Sequence, residues 1–194
     1  MHIGHQEYDK IKGAIQTTTI VTIASSIFLT LAGILVTDPI LAAVNMPGEA
    51  WDLARIYLHI YFGGIVFLLI YNFGSAILRA KGDTRRPLLA LIAGALLNIV
   101  LDFSFTIFLN GGVAGIALAT VIANAVSAGL IVWFLLTEEE TYRLNFKGLH
   151  ISNPDLSSLL YIGIPSGLQG AVFAISNVIV QAAINGFGTD ATAG

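Results

Sequence analysis

The chain lacks cysteine and has little charge. Without cysteine among its 194 residues, it can form no disulfide framework, no thiolate nucleophile and no cysteine-ligated metal site. Only 11% of its residues are Asp, Glu, Lys or Arg, and 56% are hydrophobic, whereas soluble domains are about a quarter charged. The net charge of −3 provides no basic field for nucleic acid. Together with a mean hydropathy of +0.82, this composition predicts an integral membrane protein.

Long charge-free runs predict the membrane spans. The four longest contain 25, 23, 51 and 34 residues: 13–37, 56–78, 87–137 (interrupted only by Asp102) and 156–189. Crossing a bilayer takes about 20 helical residues, so the third run holds two helices, which Asn110-Gly111-Gly112 separates. Uniformly apolar runs of this length favour α-helices. The sequence therefore predicts an all-α integral membrane protein with five transmembrane helices, at about 16–37, 54–79, 87–109, 112–136 and 157–186.

Lysine and arginine are distributed unequally between the two ends of these helices. Eight of the nine lie in segments 1–12, 79–86 and 138–155, which alternate to one side, and only Arg55 lies on the other side. Basic loops stay on the cytoplasmic side of a membrane. We therefore expect a multi-pass protein of the cell membrane (plasma or inner membrane) whose N-terminal end is cytoplasmic.

Asp102 is the formal charge that lies deep inside a predicted span. Such a carboxylate costs about 2.5–3.5 kcal/mol on insertion scales, so it needs a partner, and Asn98 lies one turn earlier on the same helix face. Two interpretations remain open, namely a structural hydrogen-bonded pair and a site that binds a proton or another cation. Thr120 and Asn124, one turn apart in the next helix, can either complete an oxygen-lined pocket or join helices.

Two helix faces and one loop carry further patterns. In the fourth helix, small residues recur every four positions from Gly111 to Ser127, which is typical of close helix packing. In the last helix, amides recur at the same spacing, and because amides are costly against lipid, this face is expected to meet protein or a water-filled cavity. The amides are Gln169, Asn177, Gln181 and Asn185. The acidic run 138–140 is expected to be a solvated loop.

Three motifs together resemble one family of transporters. Residues 79–87 read R-A-K-G-D-T-R-R-P, residues 97–102 read L-N-I-V-L-D, and residues 112–120 read G-V-A-G-I-A-L-A-T. In this order and at these spacings they are similar to the R-A-x-G-D-T-x-x-P, L-N-x-x-L-D and G-V-x-G-A-A-x-A-T motifs of multidrug and toxic compound extrusion (MATE) transporters. The I-G-I-P-S-G sequence at 162–167 resembles the start of a lobe in that family.

The resemblance implies a fold of twelve helices in two six-helix lobes. Residues 1–153 correspond to helices three to six of the first lobe, with a cytoplasmic loop at 138–153, and residues 154–194 correspond to helix seven, which begins the second lobe. Helices one and two and those after helix seven have no counterpart here. We therefore expect a fragment whose partners include the missing helices.

The family's first-lobe cation site implies roles for three residues of this chain. An Asn and an Asp on helix five correspond to Asn98 and Asp102, and a Thr on helix six corresponds to Thr120. The family's Asp on helix one has no counterpart here. A cavity-lining Asn on helix four corresponds to Asn72, and we expect Asn124 and the amides of the last helix to line the same cavity.

The function that the resemblance implies is cation-coupled antiport. A proton (H⁺) or a sodium ion (Na⁺) would drive the export of drugs or other organic, often cationic, compounds, with no cofactor and no metal beyond a possible Na⁺ at Asp102. An enzyme is not expected, because no second acid, base or nucleophile lies at the depth of Asp102. Two alternatives remain open: a lipid-linked sugar flippase of the same superfamily, although the spans contain no deep cationic residue, and a non-transporting membrane subunit or truncated product.

Overall fold

The computed structural model of the chain is helical throughout the residues that it describes, which are 2–44, 46–108, 110–138, 142–144 and 149–186, and these ranges contain no strand. The helices are α1 (His2–Ala43), α2 (Gly48–Gly63), α3 (Ile65–Ala80), α4 (Arg85–Ile107), α5 (Gly112–Leu136) and α6 (Asn153–Gly186). The predicted all-α class is confirmed.

The described helices provide up to five membrane spans. α1, α4, α5 and α6 each contain a stretch that is long and apolar enough to cross a membrane, and α2 and α3 form a fifth candidate as a pair bent by 42°. The span predicted at about 54–79 thus consists of two helices, because the chain breaks at Gly63–Gly64. Glycine is the weakest helix former after proline, and two in succession allow the change in direction.

α5 packs against α2, α3 and α4, and small residues make its contact with α4 close. A Cβ atom on Gly94 of α4 would lie 1.9 Å from the Ser127 hydroxyl oxygen of α5. That hydroxyl donates a hydrogen bond of 3.0 Å to the carbonyl oxygen of Ala90. Gly115, Ala119, Ala123 and Ser127 are all buried. The predicted packing role of the small residues in α5 is thus confirmed, and it fixes the height of α4 relative to α5.

The loop between α3 and α4 folds onto the end of α5 and buries Glu138. The carboxylate of Glu138, only 4% exposed, accepts hydrogen bonds from Lys81 and from Arg86, the latter at 2.7 Å. The Arg143 side chain donates to the Glu138 carbonyl oxygen at 3.1 Å. The solvated-loop prediction is therefore wrong for Glu138, while residues 139 and 140 lie outside the described residues. We call this end of the bundle, where α3 ends, α4 begins and α5 ends, the basic end.

α6 contacts the other described helices only through α1. The backbone N–H of Ser152 donates to the Thr17 hydroxyl oxygen at 2.9 Å. A Cβ atom on Gly13 would lie 3.4 Å from a carboxylate oxygen of Asp155. The described side chains from Leu160 to Asn177 are exposed. The first turn of α6 therefore determines where this helix lies.

Candidate cation site

Asn98 and Asp102, here called the α4 pair, form the centre of the candidate site. Both side chains are half-buried. The amide nitrogen of Asn98 and one carboxylate oxygen of Asp102 are shielded from solvent, and neither has a hydrogen-bond partner among the described residues. No hydrogen bond between the two side chains is present in this part of the chain either. Buried polar atoms are rarely left without partners, so these two atoms retain the capacity to bind a ligand.

The packing of α4 on α5 sets the height of Thr120 relative to the α4 pair. The helices run antiparallel, since Gly94 lies against Ser127 while Phe105, further along α4, lies against Gly115. Thr120 lies between these two contacts on α5, as the α4 pair does on α4. The sequence-predicted Asn, Asp and Thr are therefore brought to one level of the bundle.

The same packing places these polar groups on one side of the α4–α5 contact. On α5, Thr120 and Asn124 lie beside the small-residue stripe, toward the face on which Gly74 of α3 packs against Ile131. At about 100° per residue in antiparallel helices, the α4 pair lies on the corresponding flank of α4. We call the space along this side of the α4–α5 contact the groove. α3 borders the groove, because the hydroxyl of Tyr71 donates to the carbonyl oxygen of Pro87 at 3.2 Å.

Thr120 and Asn124 supply further oxygen atoms to this groove. The Thr120 hydroxyl donates to the carbonyl oxygen of Ile116 at 3.1 Å, which leaves its lone pairs free to accept a proton donor or to bind a cation. Asn124, half-buried one turn closer to the basic end, adds an amide oxygen. A carboxylate, two amides and a hydroxyl therefore line one groove.

The other charged residues of α4 and α5 are Arg85 and Arg86, at the opposite end of α4 from Asp102. From residue 87 to residue 137 Asp102 is the only charged side chain in the sequence. Among the described residues, no three His, Cys, Asp or Glu side chains gather in a way that could hold a metal ion. A single carboxylate with neutral oxygen neighbours is a set that can take up a proton or a monovalent cation, and intramembrane carboxylates commonly do so.

Among the described side chains, no hydrogen bond joins the other predicted site residues to this group. Asn72 is exposed on α3, and its amide nitrogen donates to the carbonyl oxygen of Leu68 at 2.9 Å. Gln169 and Asn177 are exposed on α6, which contacts only α1 among the described helices. The side chain of Gln181 lies outside the described residues.

Sequence reasoning missed Ser75, a buried residue of α3. Its side chain is fully buried, and its hydroxyl oxygen has no hydrogen-bond partner among the described residues. A serine in a helix ordinarily bonds to its own backbone, so the sequence gives no reason to single it out. In contrast, the break between α2 and α3 had a signal, because a Gly-Gly dipeptide marks a turn or a break.

Comparison with known proteins identifies relatives over nearly the whole chain. It is 30% identical over 190 residues to the probable multidrug resistance protein YpnP of Bacillus subtilis (strain 168), a match that covers 96% of this chain and 42% of the relative. It is 24% identical over 191 residues to the multidrug export protein MepA of Staphylococcus aureus (strain bovine RF122 / ET3-1), with 98% and 42% covered. The chain thus spans less than half the length of these curated relatives.

Solved structures and a family profile agree with these matches. An inward-facing multidrug resistance MATE family transporter of the MOP superfamily superposes with a TM-score of 0.83 at 28% identity, over 94% of this chain and 42% of that one. An outward-facing transporter of the same description gives 0.76 at 29% identity, over 84% and 37%. The profile of the MatE family matches residues 2–104, more than half of the chain. The chain therefore belongs to the MatE family of multidrug and toxic compound extrusion transporters.

Proposed function

We propose that this chain forms part of a cation-coupled antiporter that exports drugs or other organic compounds across the cell membrane. The observation that carries the proposal is the Asp102 carboxylate, with an oxygen buried in a membrane-spanning helix and without a hydrogen-bond partner among the described residues. A structural carboxylate would be paired, because an unpaired buried one is costly. A carboxylate that must take up and release an ion needs its oxygens free in one state.

The α4 pair and Thr120 have distinct roles in this proposal. Asp102 binds H⁺ or Na⁺ as the charged ligand, Asn98 contributes its amide oxygen, and Thr120 contributes a hydroxyl oxygen from α5. Loading neutralises the only charge between residues 87 and 137, so the loaded and empty forms prefer different surroundings for Asp102. An ion that binds one conformation more tightly than the other shifts the population between them, and this shift couples the ion gradient to export.

A cleft between α1 and α6 favours an organic compound as the substrate. Its volume is about 770 Å³, which lies in the usual range for small-molecule sites. Its walls are largely apolar and include Phe73, while Thr18 and the Asp155 carboxylate add polar groups. Apolar walls with one carboxylate suit an amphipathic organic cation. The names of the relatives, a multidrug resistance protein and a multidrug export protein, point to the same class of compound.

We further propose an orientation and a division into lobes. The basic end lies in the cytoplasm, because eight of the nine Lys and Arg residues belong to its segments. The boundary between the lobes lies at about residue 153, where α6 begins. Residues 1–153 then belong to the first lobe and residues 154–194 to the second.

Two other functions make different predictions. A flippase for lipid-linked sugars would need cationic groups for a phosphate within the spans, and residues 87–137 contain none. A non-transporting subunit would need no free carboxylate at Asp102. If a full-length protein that contains this chain changes the accumulation of no organic compound in cells that lack their own drug exporters, the antiporter proposal is wrong and the non-transporting subunit remains.

The experiment compares Asp102→Asn with Asp52→Asn in those cells. Asp52 is exposed on α2, so it undergoes the same chemical change away from the groove. We expect Asp102→Asn to abolish efflux of a fluorescent organic cation driven by either a proton or a sodium gradient, at unchanged expression, and Asp52→Asn to retain it. The gradient that drives efflux in the unmodified protein identifies the coupling ion. Full ion-dependent efflux by the Asp102→Asn variant would overturn the coupling role.

A further inference from the structure

The span formed by α2 and α3 is broken at a single residue. α2 ends at Gly63, α3 begins at Ile65, and the two axes differ by 42°. The backbone N–H of Gly64 still donates to the carbonyl oxygen of Ile60 at 3.0 Å, and the Gly64 carbonyl oxygen already accepts from Phe67 at 3.1 Å. Both helices therefore keep their terminal hydrogen bonds on either side of one pivot residue.

Polar contacts attach α2 to α1. The Thr30 hydroxyl donates to the carbonyl oxygen of Phe62 at 3.1 Å, just before the break. The Phe62 ring fits against Gly33, where an added Cβ atom would lie 2.2 Å from it. Near the middle of α2, Arg55 and Asp38 form an ion pair of 2.9 Å. α2 and the second half of α1 are therefore attached at two heights.

The polar contacts of α3 go to other helices than those of α2. Tyr71 donates to the carbonyl oxygen of Pro87 on α4. Gly74 packs so closely on α5 that an added Cβ atom would lie 2.3 Å from Ile131. Just beyond the end of α3, Lys81 pairs with the buried Glu138 that follows α5. The polar contacts of the two halves thus differ, while α1 and α5 pack against both of them.

α2 meets α5 without a polar attachment. Every side-chain hydrogen bond and ion pair from α2 to another helix in the described part of the chain goes to α1. At the break itself, Gly64 lies against Val121 of α5, one residue from Thr120, and an added Cβ atom would lie 2.4 Å from the valine side chain. Apolar contacts of this kind are not directional, so they allow one helix to slide on the other.

The two glycines of the break have different reasons to be glycine. Gly64 leaves room for Val121, whereas a Cβ atom on Gly63 would meet no atom within 4 Å. Packing therefore does not require glycine at position 63, although glycine in a helix costs about 0.5–1 kcal/mol relative to alanine. The remaining physical reason is the backbone freedom that a bend needs.

We propose that Gly63–Gly64 is a hinge at which α2, attached to α1, moves relative to a body of α3, α4 and α5 that carries the candidate cation site. Because the pivot lies one residue from the level of Thr120, movement of α2 changes access to the groove from the end opposite the basic end. The link to ion access rests on the proposed function, whereas the hinge itself does not.

The test measures distances between spin labels in the chain reconstituted in lipid nanodiscs, with Gly63→Ala as the variant. The chain has no cysteine, so introduced cysteines are labelled without background. The hinge pair carries labels at the exposed positions Leu53 (α2) and Ile107 (α4), and the body pair carries them at Ala76 (α3) and Leu88 (α4). We expect a broad distance distribution for the hinge pair and a narrow one for the body pair.

Gly63→Ala should narrow the hinge-pair distribution to the width of the body pair. The matched control is Gly129→Ala, which lies in the interior of α5 and has equally open space around its added Cβ atom, and it should leave both widths unchanged. The hinge is overturned if Gly63→Ala leaves the hinge pair as broad as before. It is also overturned if the two pairs are equally broad in the unmodified chain.

A second variant tests the attachment of α2 without altering the break. Thr30→Val keeps the shape of the side chain but removes the hydrogen bond to Phe62. Labels at the exposed positions Leu31 and Leu53 should then give a broader distribution, while the body pair stays narrow. An unchanged distribution between these two positions would contradict the attachment. Because no distance needs a substrate or an ion gradient, failure here leaves the antiporter proposal standing, and failure of ion coupling leaves the hinge standing.

Discussion

Glu138 and Asp102 each have a buried carboxylate oxygen, and their surroundings are opposite. Glu138, at the basic end, is 4% exposed and is balanced by Lys81 and Arg86. Asp102, in the middle of the bundle, has a buried oxygen without a hydrogen-bond partner among the described residues. A carboxylate that is already paired holds neighbouring segments together, whereas an unpaired one can exchange a ligand. If the proposed function holds, this difference separates a structural charge, Glu138, from a functional one, Asp102.

The position along the span explains this difference. Of the four charged side chains between residues 81 and 86, three contact one another or Glu138, namely those of Lys81, Asp83 and Arg86. Asp83 also accepts the backbone N–H groups of residues 85 and 86 at 3.0 and 3.1 Å, which caps the start of α4. No such loop reaches the depth of Asp102. Charge is therefore compensated where loops meet helix ends.

The largest expected effect on stability is that of Glu138→Gln. Removing one partner of a buried ion pair costs about 3–5 kcal/mol, and because Lys81 and Arg86 are partly exposed, we expect about 3 kcal/mol here. Chemical unfolding of the purified protein in detergent would measure the loss. Asp52→Asn, at an exposed position of α2, serves as the control with no expected effect. Equal unfolding free energies for the Glu138→Gln variant and the unmodified protein would show that the ion pairs contribute nothing.

A smaller effect on stability is expected for Arg86, and the adjacent Arg85 serves as its comparison. Arg86 contacts both Glu138 and Asp83, whereas Arg85 is exposed. We expect Arg86→Met to lower the free energy of unfolding by about 1–3 kcal/mol, as for a charged hydrogen bond, and Arg85→Met to change it by less than about 0.5 kcal/mol. The same unfolding measurement applies to both. If Arg85→Met proves the more destabilising, the packing of this loop on α5 is wrong.

The smallest expected effect on stability is that of Asp102→Asn. Because the substitution breaks no hydrogen bond among the described residues, it should change the free energy of unfolding by less than about 1 kcal/mol. The same variant should lose ion-driven efflux, so the substitution should affect transport strongly and stability hardly at all. A loss of stability as large as that of Glu138→Gln would show that Asp102 has a structural partner, and the contrast between the two carboxylates would fail.

The sequence predicted the parts of this molecule that depend on composition and spacing. Charge-free runs predicted the spans, and small residues every four positions predicted the close contact of α5 with α4, because both follow from one helix considered alone. Helix spacing placed Asn98 beside Asp102, the family resemblance assigned both of them and Thr120 to a cation site, and their roles remain a prediction. The pairing of Glu138 could not be predicted, because it joins residues 52 and 57 positions apart. The unpartnered hydroxyl of Ser75 likewise depends on the packing around α3.

The contact between Thr17 and Ser152 has a mechanical consequence. It joins residues 135 positions apart, at the first turn of a helix of 34 residues. At about 1.5 Å per residue, α6 is a lever roughly 50 Å long, so a rotation of about 10° at this contact displaces its far end by about 9 Å. A small rotation at the Thr17–Ser152 contact is thus converted into a displacement of several ångströms at the other end of α6.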